Sequence, residues 1–261
     1  MDTEQLAKLI RISSLKMCYS AKASHIGSCL SCADILAVLY NEILKENDKL
    51  IVSKGHCAAA LYSAIYYSGQ AKFGIKDDAI SEHDLKDYCQ EGERLGGLIS
   101  HHVPGVELST GSLGHGLSVA CGMALVRKGR VFCLLSDGEL NEGSVWEAIM
   151  FATHHKLDNL ILIIDNNGLQ SMGNSKNIIN MNSILKKFEA FGWMTKTTNG
   201  NSIPRLSASL SHLRNHHFKQ PKCIIADTIK GKGVSFMENR LEWHYRYPND
   251  EELKLALGEL E

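Results

Sequence analysis

The chain has 261 residues, 44% hydrophobic and 22% charged, which is enough apolar mass for one large or two small globular domains. A formal net charge of -1 and the lack of a long basic run exclude electrostatic capture by nucleic acid or an anionic membrane. No apolar stretch approaches the roughly 20 residues that span a bilayer. The N-terminus, MDTEQLAKLI, is acidic and amphipathic and lacks the layout of a signal peptide, so the expected location is cytoplasmic.

Apolar positions at helical spacing predict helices over residues 4–20 and 31–45, with SHIGSC between them as a short glycine-containing loop. Further on, VFCLLSD (131–137), NLILIIDNN (159–167) and CIIADTI (223–229) are continuous apolar runs ending in polar residues. Such runs suit parallel strands buried on both faces. Helical patterns intervene at 113–128, 142–156 and 181–190, and another covers 205–217. Strands alternating with helices predict an α/β fold, a parallel sheet with helices on both faces. With four prolines, no linker and no repeat, the expectation is a single domain over residues 1–261. Residues 1–50 read as a helical extension. Residues 231–261 read as a docking tail, since they lack core periodicity yet hold Trp243, Tyr245 and Tyr247.

Most of the eight cysteines sit in apolar runs, as reduced core thiols do. Cys29 and Cys32 form a C-x-x-C, which suits a redox pair, half a zinc site, or two neighbours at a helix start. No second C-x-x-C completes a zinc site.

The strongest signal for chemistry is SDGELNEG followed by DNNG. Asp137 ends one predicted strand and Asn167 ends the next, with one helix between them. A right-handed crossover sets both strand ends on one sheet edge, where open α/β sheets bind ligands. Asp137 offers a carboxylate and Asn167 a side-chain carbonyl, hard oxygen ligands suited to Mg²⁺, which takes its remaining ligands from phosphate and water. Gly138 permits close backbone approach to a phosphate. Asp, Asn and Gly also favour plain turns, so spacing alone leaves both readings open.

The wider sequence resembles the transketolase family. SDGELNEG and DNNG are similar to the thiamine-diphosphate signature, with Ser136 in place of its first Gly. SHIGSCLSCADIL, DKLIVSKGHCAAALY, PGVELSTGSLGHGLSVACGMAL, IIDNNGLQSMG and IKGKGVSFMEN…WH match transketolase motifs in the expected order, over about residues 5 to 248. The match is to the N-terminal, diphosphate-binding half of a full transketolase. The resemblance implies thiamine diphosphate and Mg²⁺ as cofactors, with Asp137, Asn167 and the carbonyl of Leu169 on the metal. It implies Gly138 and His56 near the diphosphate, His244 lining the cofactor site, Gly111 and Leu113 cupping the aminopyrimidine, His25 at the reacting carbons of the sugar, and Glu142 at a subunit interface. His83, His154, His155, His212, His216 and His217 lie outside these motifs and carry no such expectation.

Two segments depart from the family. Ile26 stands where it has Pro, and GGLISHHVPGVE places Leu98 where it has a sugar-recognising His. His101 or His102 is expected to substitute, which points towards a specialised sugar. Family resemblance also implies that the activating Glu comes from a second α/β domain. The expectation is therefore a complementary C-terminal, pyrimidine-binding subunit, self-association into a dimer of heterodimers, and sugar substrates between which a two-carbon ketol unit passes. The competing readings are the alpha subunit of a 2-oxoacid dehydrogenase, which STGSLGHG and SKGH speak against, and a cofactor-binding regulatory subunit.

Overall fold

Five strands form one parallel sheet in the order β1-β2-β3-β5-β4: β1 (Lys49–Val52), β2 (Val131–Ser136), β3 (Leu160–Asn166), β4 (Met194–Asn199) and β5 (Lys222–Asp227). The computed structural model describes residues 1–69, 74–75, 78–216 and 219–261. Its helices are α1 (Thr3–Ser20), α2 (Ile26–Ser31), α3 (Ala33–Val38), α4 (Ala58–Tyr67), α5 (Glu82–Lys86), α6 (Gly116–Val126), α7 (Gly143–His154), α8 (Ser175–Ile178), α9 (Ile184–Ala190), α10 (Ile203–Asn215) and α11 (Asp250–Leu260).

Successive side chains of a strand point to opposite faces, so an apolar run feeds two cores. Phe132, Leu134, Ile161, Ile163 and Ile224 pack with Leu6 and Ile10 of α1, Leu36 of α3, Leu61 of α4 and Leu210 of α10. Val131, Cys133, Leu135, Leu162 and Ile164 pack on the other side with Leu117 of α6, Val145 and Ile149 of α7, and Phe188 of α9. The expected sheet with helices on both faces is the one found. Residues 1–50 cover one sheet face and end inside β1. In the 231–261 segment, Trp243 is buried and α11 lies against α1.

Three local readings change. SHIGSC is not a loop: His25 takes a left-handed conformation (φ 76°) and starts α2, whose six residues are all buried and so show no amphipathic period. The helix expected over 31–45 is divided into α3 and a π-helical turn, Leu39–Ile43. Strands β1 and β4 have no counterpart among the sequence expectations. β1 has four residues, and β4 is an edge strand, MTKTTN, with no continuous apolar run. Residue 217, at the end of the helix expected over 205–217, lies outside the described residues.

Register positions the site. Ser136 of β2 is level with Asp165 of β3, and the Asp137 N–H donates to the Asp165 carbonyl at 3.2 Å. The residues just past both strands therefore emerge side by side on the C-terminal edge.

Candidate active site

A cleft of about 450 Å³ opens on that edge. Its lining includes His25, His56, Gly111, Leu113, Asp137, Gly138, Glu142, Asn167, Leu169 and His244. Strand ends, the start of α2, the 3₁₀ turn Gly55–Cys57, the loop before α6 and the 3₁₀ turn Leu241–His244 thus meet in one place. Of the residues singled out from sequence, His101 and His102 are the two it does not bring together with the rest. Both are exposed, their rings 4.1 Å apart, with His101 Nδ1 at 2.6 Å from Ser109 Oγ. Fully buried Val103 anchors this loop, and the two preceding side chains turn to solvent. Leu98 itself lines the cleft, half exposed, and packs over Gly111. Leu98 lines the cleft and neither His101 nor His102 does, so this geometry lends the expected substitution no support.

The donors in one corner of the cleft fit a hard cation. Asp137 is 5% exposed; its Oδ2 accepts from Ser175 Oγ at 2.6 Å, while its Oδ1 is buried with no hydrogen-bond partner. An unsatisfied buried carboxylate oxygen costs free energy unless something occupies it. Burial pushes the Asp137 carboxyl above its usual range, with the Ser175 bond opposing that shift. Asn167 Oδ1 accepts from Leu169 N at 3.1 Å and keeps a lone pair to offer. The Leu169 carbonyl accepts from Lys230 Nζ at 3.4 Å. One carboxylate, one amide oxygen and one backbone carbonyl fit Mg²⁺, which uses few protein ligands and fills its octahedron with phosphate and water. Among the described residues, no three His, Cys, Asp or Glu side chains form a metal cluster of their own. Cys29 and Cys32 are free and buried. Next to the corner, Asn141 Nδ2 is also buried without a partner, a spare donor suited to an anion.

Another part of the cleft lining is a triangle of imidazoles, tied to the Leu169 carbonyl through Lys230. Ring centroids lie 4.9 Å apart for His25–His244, 5.6 Å for His25–His56 and 5.8 Å for His56–His244. Burial lowers the basicity of all three, and Lys54 or Lys230 adds to it. His244 is brought down to about 3 and His56 well below the usual range. The rings are therefore neutral at pH 7. Lys230 Nζ lies 3.0 Å from His244 Nδ1. An ammonium only donates, so Nδ1 accepts and the His244 proton resides on Nε2. Burial, with Lys54 nearby, brings Lys230 itself down to about 8. His25 holds its left-handed backbone, a conformation uncommon outside glycine, with its N–H on the His244 carbonyl at 3.0 Å.

Close approaches lock these pieces. A Cβ on Gly55 would meet the Thr110 carbonyl oxygen at 2.2 Å, so only glycine lets the His56 turn lie against the loop carrying Gly111 and Leu113. Beneath the cleft are two buried carboxylates absent from the sequence reading. Glu139 binds Ser53 Oγ and accepts from the Gly114 N–H at 2.8 Å. Asp165 pairs with fully buried Lys54. Asn141, Glu139, Asp165 and Lys230 all fall inside the quoted motifs; their signal was their place within a motif, which spacing alone does not convert into a role.

A parallel sheet with a ligand cleft at its strand ends, oxygen donors that fit a hard cation and a neutral imidazole wall defines a thiamine-diphosphate-binding α/β domain. A family model described as transketolase, thiamine diphosphate binding domain, matches residues 2–258, and the chain belongs to the transketolase family. It is 38% identical over 275 residues to a protein of Actinobacillus succinogenes named as a subunit of apulose-4-phosphate transketolase, covering 99% of this chain and 96% of that one. Human transketolase is 37% identical over 256 residues, of which the match covers 38%. The crystal structure of transketolase from Campylobacter jejuni superposes with a TM-score of 0.89 at 31% identity, covering 99% of this chain and 42% of that one. The chain thus spans about two fifths of the full-length transketolases that it matches and nearly all of the relative named as a transketolase subunit. Among the described residues, no helix is long and apolar enough to cross a membrane.

Proposed function

We propose that this chain is the diphosphate-binding subunit of a two-polypeptide transketolase, a single domain over residues 1–261. In this reading it acts in the cytoplasm with a complementary pyrimidine-binding chain to move a two-carbon ketol unit from a ketose to an aldose. Thiamine diphosphate, when bound, supplies the carbanion chemistry that breaks and remakes the carbon–carbon bond. The carrying observation is the partnerless, buried Asp137 Oδ1 in a cleft that Asn167, Leu169 and the three imidazoles also line.

Asp137, Asn167 and the Leu169 carbonyl hold Mg²⁺, and Gly138, His56 and Asn141 face the diphosphate. Gly111 and Leu113 receive the aminopyrimidine. His25 and His244, neutral and with the His244 Nε2–H free to donate, bind sugar oxygens and shuttle protons. Exposed Glu142, at the cleft rim, faces a neighbouring subunit. The naming of a similar protein, matched over nearly its whole length, as one subunit of a transketolase supports a complementary chain, and the expected assembly is a dimer of heterodimers. That relative is named for apulose 4-phosphate; apolar Leu98 in the cleft wall supports a specialised donor of this kind rather than a general one.

The test is a ketol-transfer assay on the purified chain, alone and with a co-expressed complementary chain, across phosphorylated ketose donors. Activity is expected only with both polypeptides, thiamine diphosphate and Mg²⁺. Robust transfer by this chain alone removes the two-polypeptide reading; no transfer by the stable pair with any ketose removes the catalytic one.

A further inference from the structure

Asp165 lies two residues before Asn167 on β3, on the same sheet face as Ile161 and Ile163. It is fully buried, and its carboxylate accepts four side-chain hydrogen bonds. Oδ2 receives Ser31 Oγ at 2.6 Å, Lys54 Nζ, and the Asn167 Nδ2 at 3.5 Å. Oδ1 receives the Thr228 hydroxyl. Ser31 has one proton, and its shortest contact is to Asp165, so its lone pairs face the Asn167 Nδ2 at 3.4 Å.

An amide side chain has two ends of similar shape and opposite chemistry. Two groups determine the orientation of Asn167. The Asp165 carboxylate only accepts and repels a carbonyl oxygen, so it draws Nδ2. The Leu169 N–H only donates, at 3.1 Å, so it draws Oδ1. A flipped amide would set oxygen against carboxylate and NH₂ against N–H. The first of these conflicts is the more severe, because it involves a full charge inside the protein. Burial disfavours the Lys54 ammonium, but the neighbouring Asp165 charge outweighs it and raises the Lys54 pKa above its ordinary value.

We infer that Asp165 is the positioning residue that turns the Asn167 carbonyl oxygen towards Asp137 and the metal corner, with Ser31 as its relay and Lys54 as its counter-charge. The inference rests on the proposed metal set of Asp137, Asn167 and the Leu169 carbonyl. It adds that the ligand identity of Asn167 is imposed from behind the sheet edge. Residues that orient metal ligands contribute about 10–100-fold in metal affinity.

The test is Mn²⁺ binding to the full chain in the presence of thiamine diphosphate, followed by the paramagnetic resonance of free Mn²⁺. Replacing Asp165 alone strands a buried ammonium, so the variant is the neutral pair Lys54→Met/Asp165→Asn. Its Kd for Mn²⁺ should rise by about 10–100-fold. Adding Asn167→Asp should then restore binding, because a carboxylate has no wrong end to present. A purely structural role for Asp165 would not be rescued this way. Ser31→Ala keeps both charges and should weaken Mn²⁺ in the same direction by less, which gives a second route if the paired variant does not fold. Wild-type affinity in the folded neutral pair, or no recovery on adding Asn167→Asp at an unchanged unfolding midpoint, overturns the inference. Asp137→Ala separates the two levels. If it too binds Mn²⁺ normally, the metal corner itself is wrong; if it loses the ion while the Asp165 variants keep it, only the positioning role is.

Discussion

The two walls of the cleft are made by different means. The Asp137 corner is made of residues that follow two central, paired strands, and its geometry comes from sheet register: Ser136 opposite Asp165, with Asp137 one residue and Asn167 two residues further on. The imidazole wall is made of residues from three separate segments, around His25, His56 and His244, with no hydrogen-bonded ladder between them. It relies on close backbone seams such as Gly55 against Thr110, and on a left-handed His25 tied to the His244 carbonyl. A ladder spreads its precision over many equivalent bonds, whereas a seam depends on single contacts. One wall should therefore tolerate change around it and fail only at its ligands. The other should fail at positions that touch no ligand at all.

Four measurements sharpen or break this contrast. Asp137→Ala should weaken metal-dependent thiamine diphosphate binding by more than about 100-fold, beyond what orienting residues supply. Its circular dichroism and unfolding midpoint should stay near wild type, because the fold is carried by the ladder; unchanged calorimetric affinity would remove the metal assignment. Gly55→Ala should cost about 1–3 kcal/mol in urea unfolding, as overpacked sites do. The new methyl meets backbone at 2.2 Å, which no rotamer change relieves. Full stability in that variant would show that the seam is slack.

A smaller effect concerns pH. His25, His56 and His244 have folded pKa values below the ordinary value, led by burial. Below about pH 6.5 the unfolded chain takes up protons on them that the folded chain refuses. Stability is thus intact above that pH and falls as pH drops through it, by at most about 1.4 kcal/mol per unit for each ring that stays neutral when folded. All three rings are partly open to the cleft and contribute less than this, His56 the most. His56→Asn should flatten the fall in unfolding free energy between pH 7 and 5.5; an unchanged slope would contradict the neutral assignment. The smallest effect belongs to the exposed pair. His101→Ala/His102→Ala should leave kcat/KM within about twofold, in line with surface changes of ±0.5 kcal/mol, whereas Leu98→Ala should move it further. The reverse ranking would return sugar recognition to the histidines.

Much of this was legible in the linear chain. The runs 131–137 and 159–167 announce buried parallel strands, and a polar residue directly after each announces the edge where ligands bind. The motif strings carried the family and gathered His25, His56, Gly111, Leu113, Asp137, Asn167, Leu169 and His244, all of which line one cleft. Alternation carried one residue past the end of β3 even implies that Asp165 and Asn167 share a face.

What the chain alone did not determine depends on where loops and edges come to lie. Edge strand β4 is half buried and shows no apolar run, and α2 is buried all round and shows no amphipathic stripe. The loop holding Leu98, His101 and His102 contains three plausible cleft residues in five positions; only the burial of Val103 and the contact of Leu98 with Gly111 decide which one faces inward. The two carboxylates beneath the cleft show the same limit. Local sequence places a residue on a strand or in a turn, because backbone periodicity is a short-range property. The donors that meet Asp165, from Ser31, Lys54 and Thr228, come from segments up to 134 residues away, so its role arises only when tertiary packing brings them together.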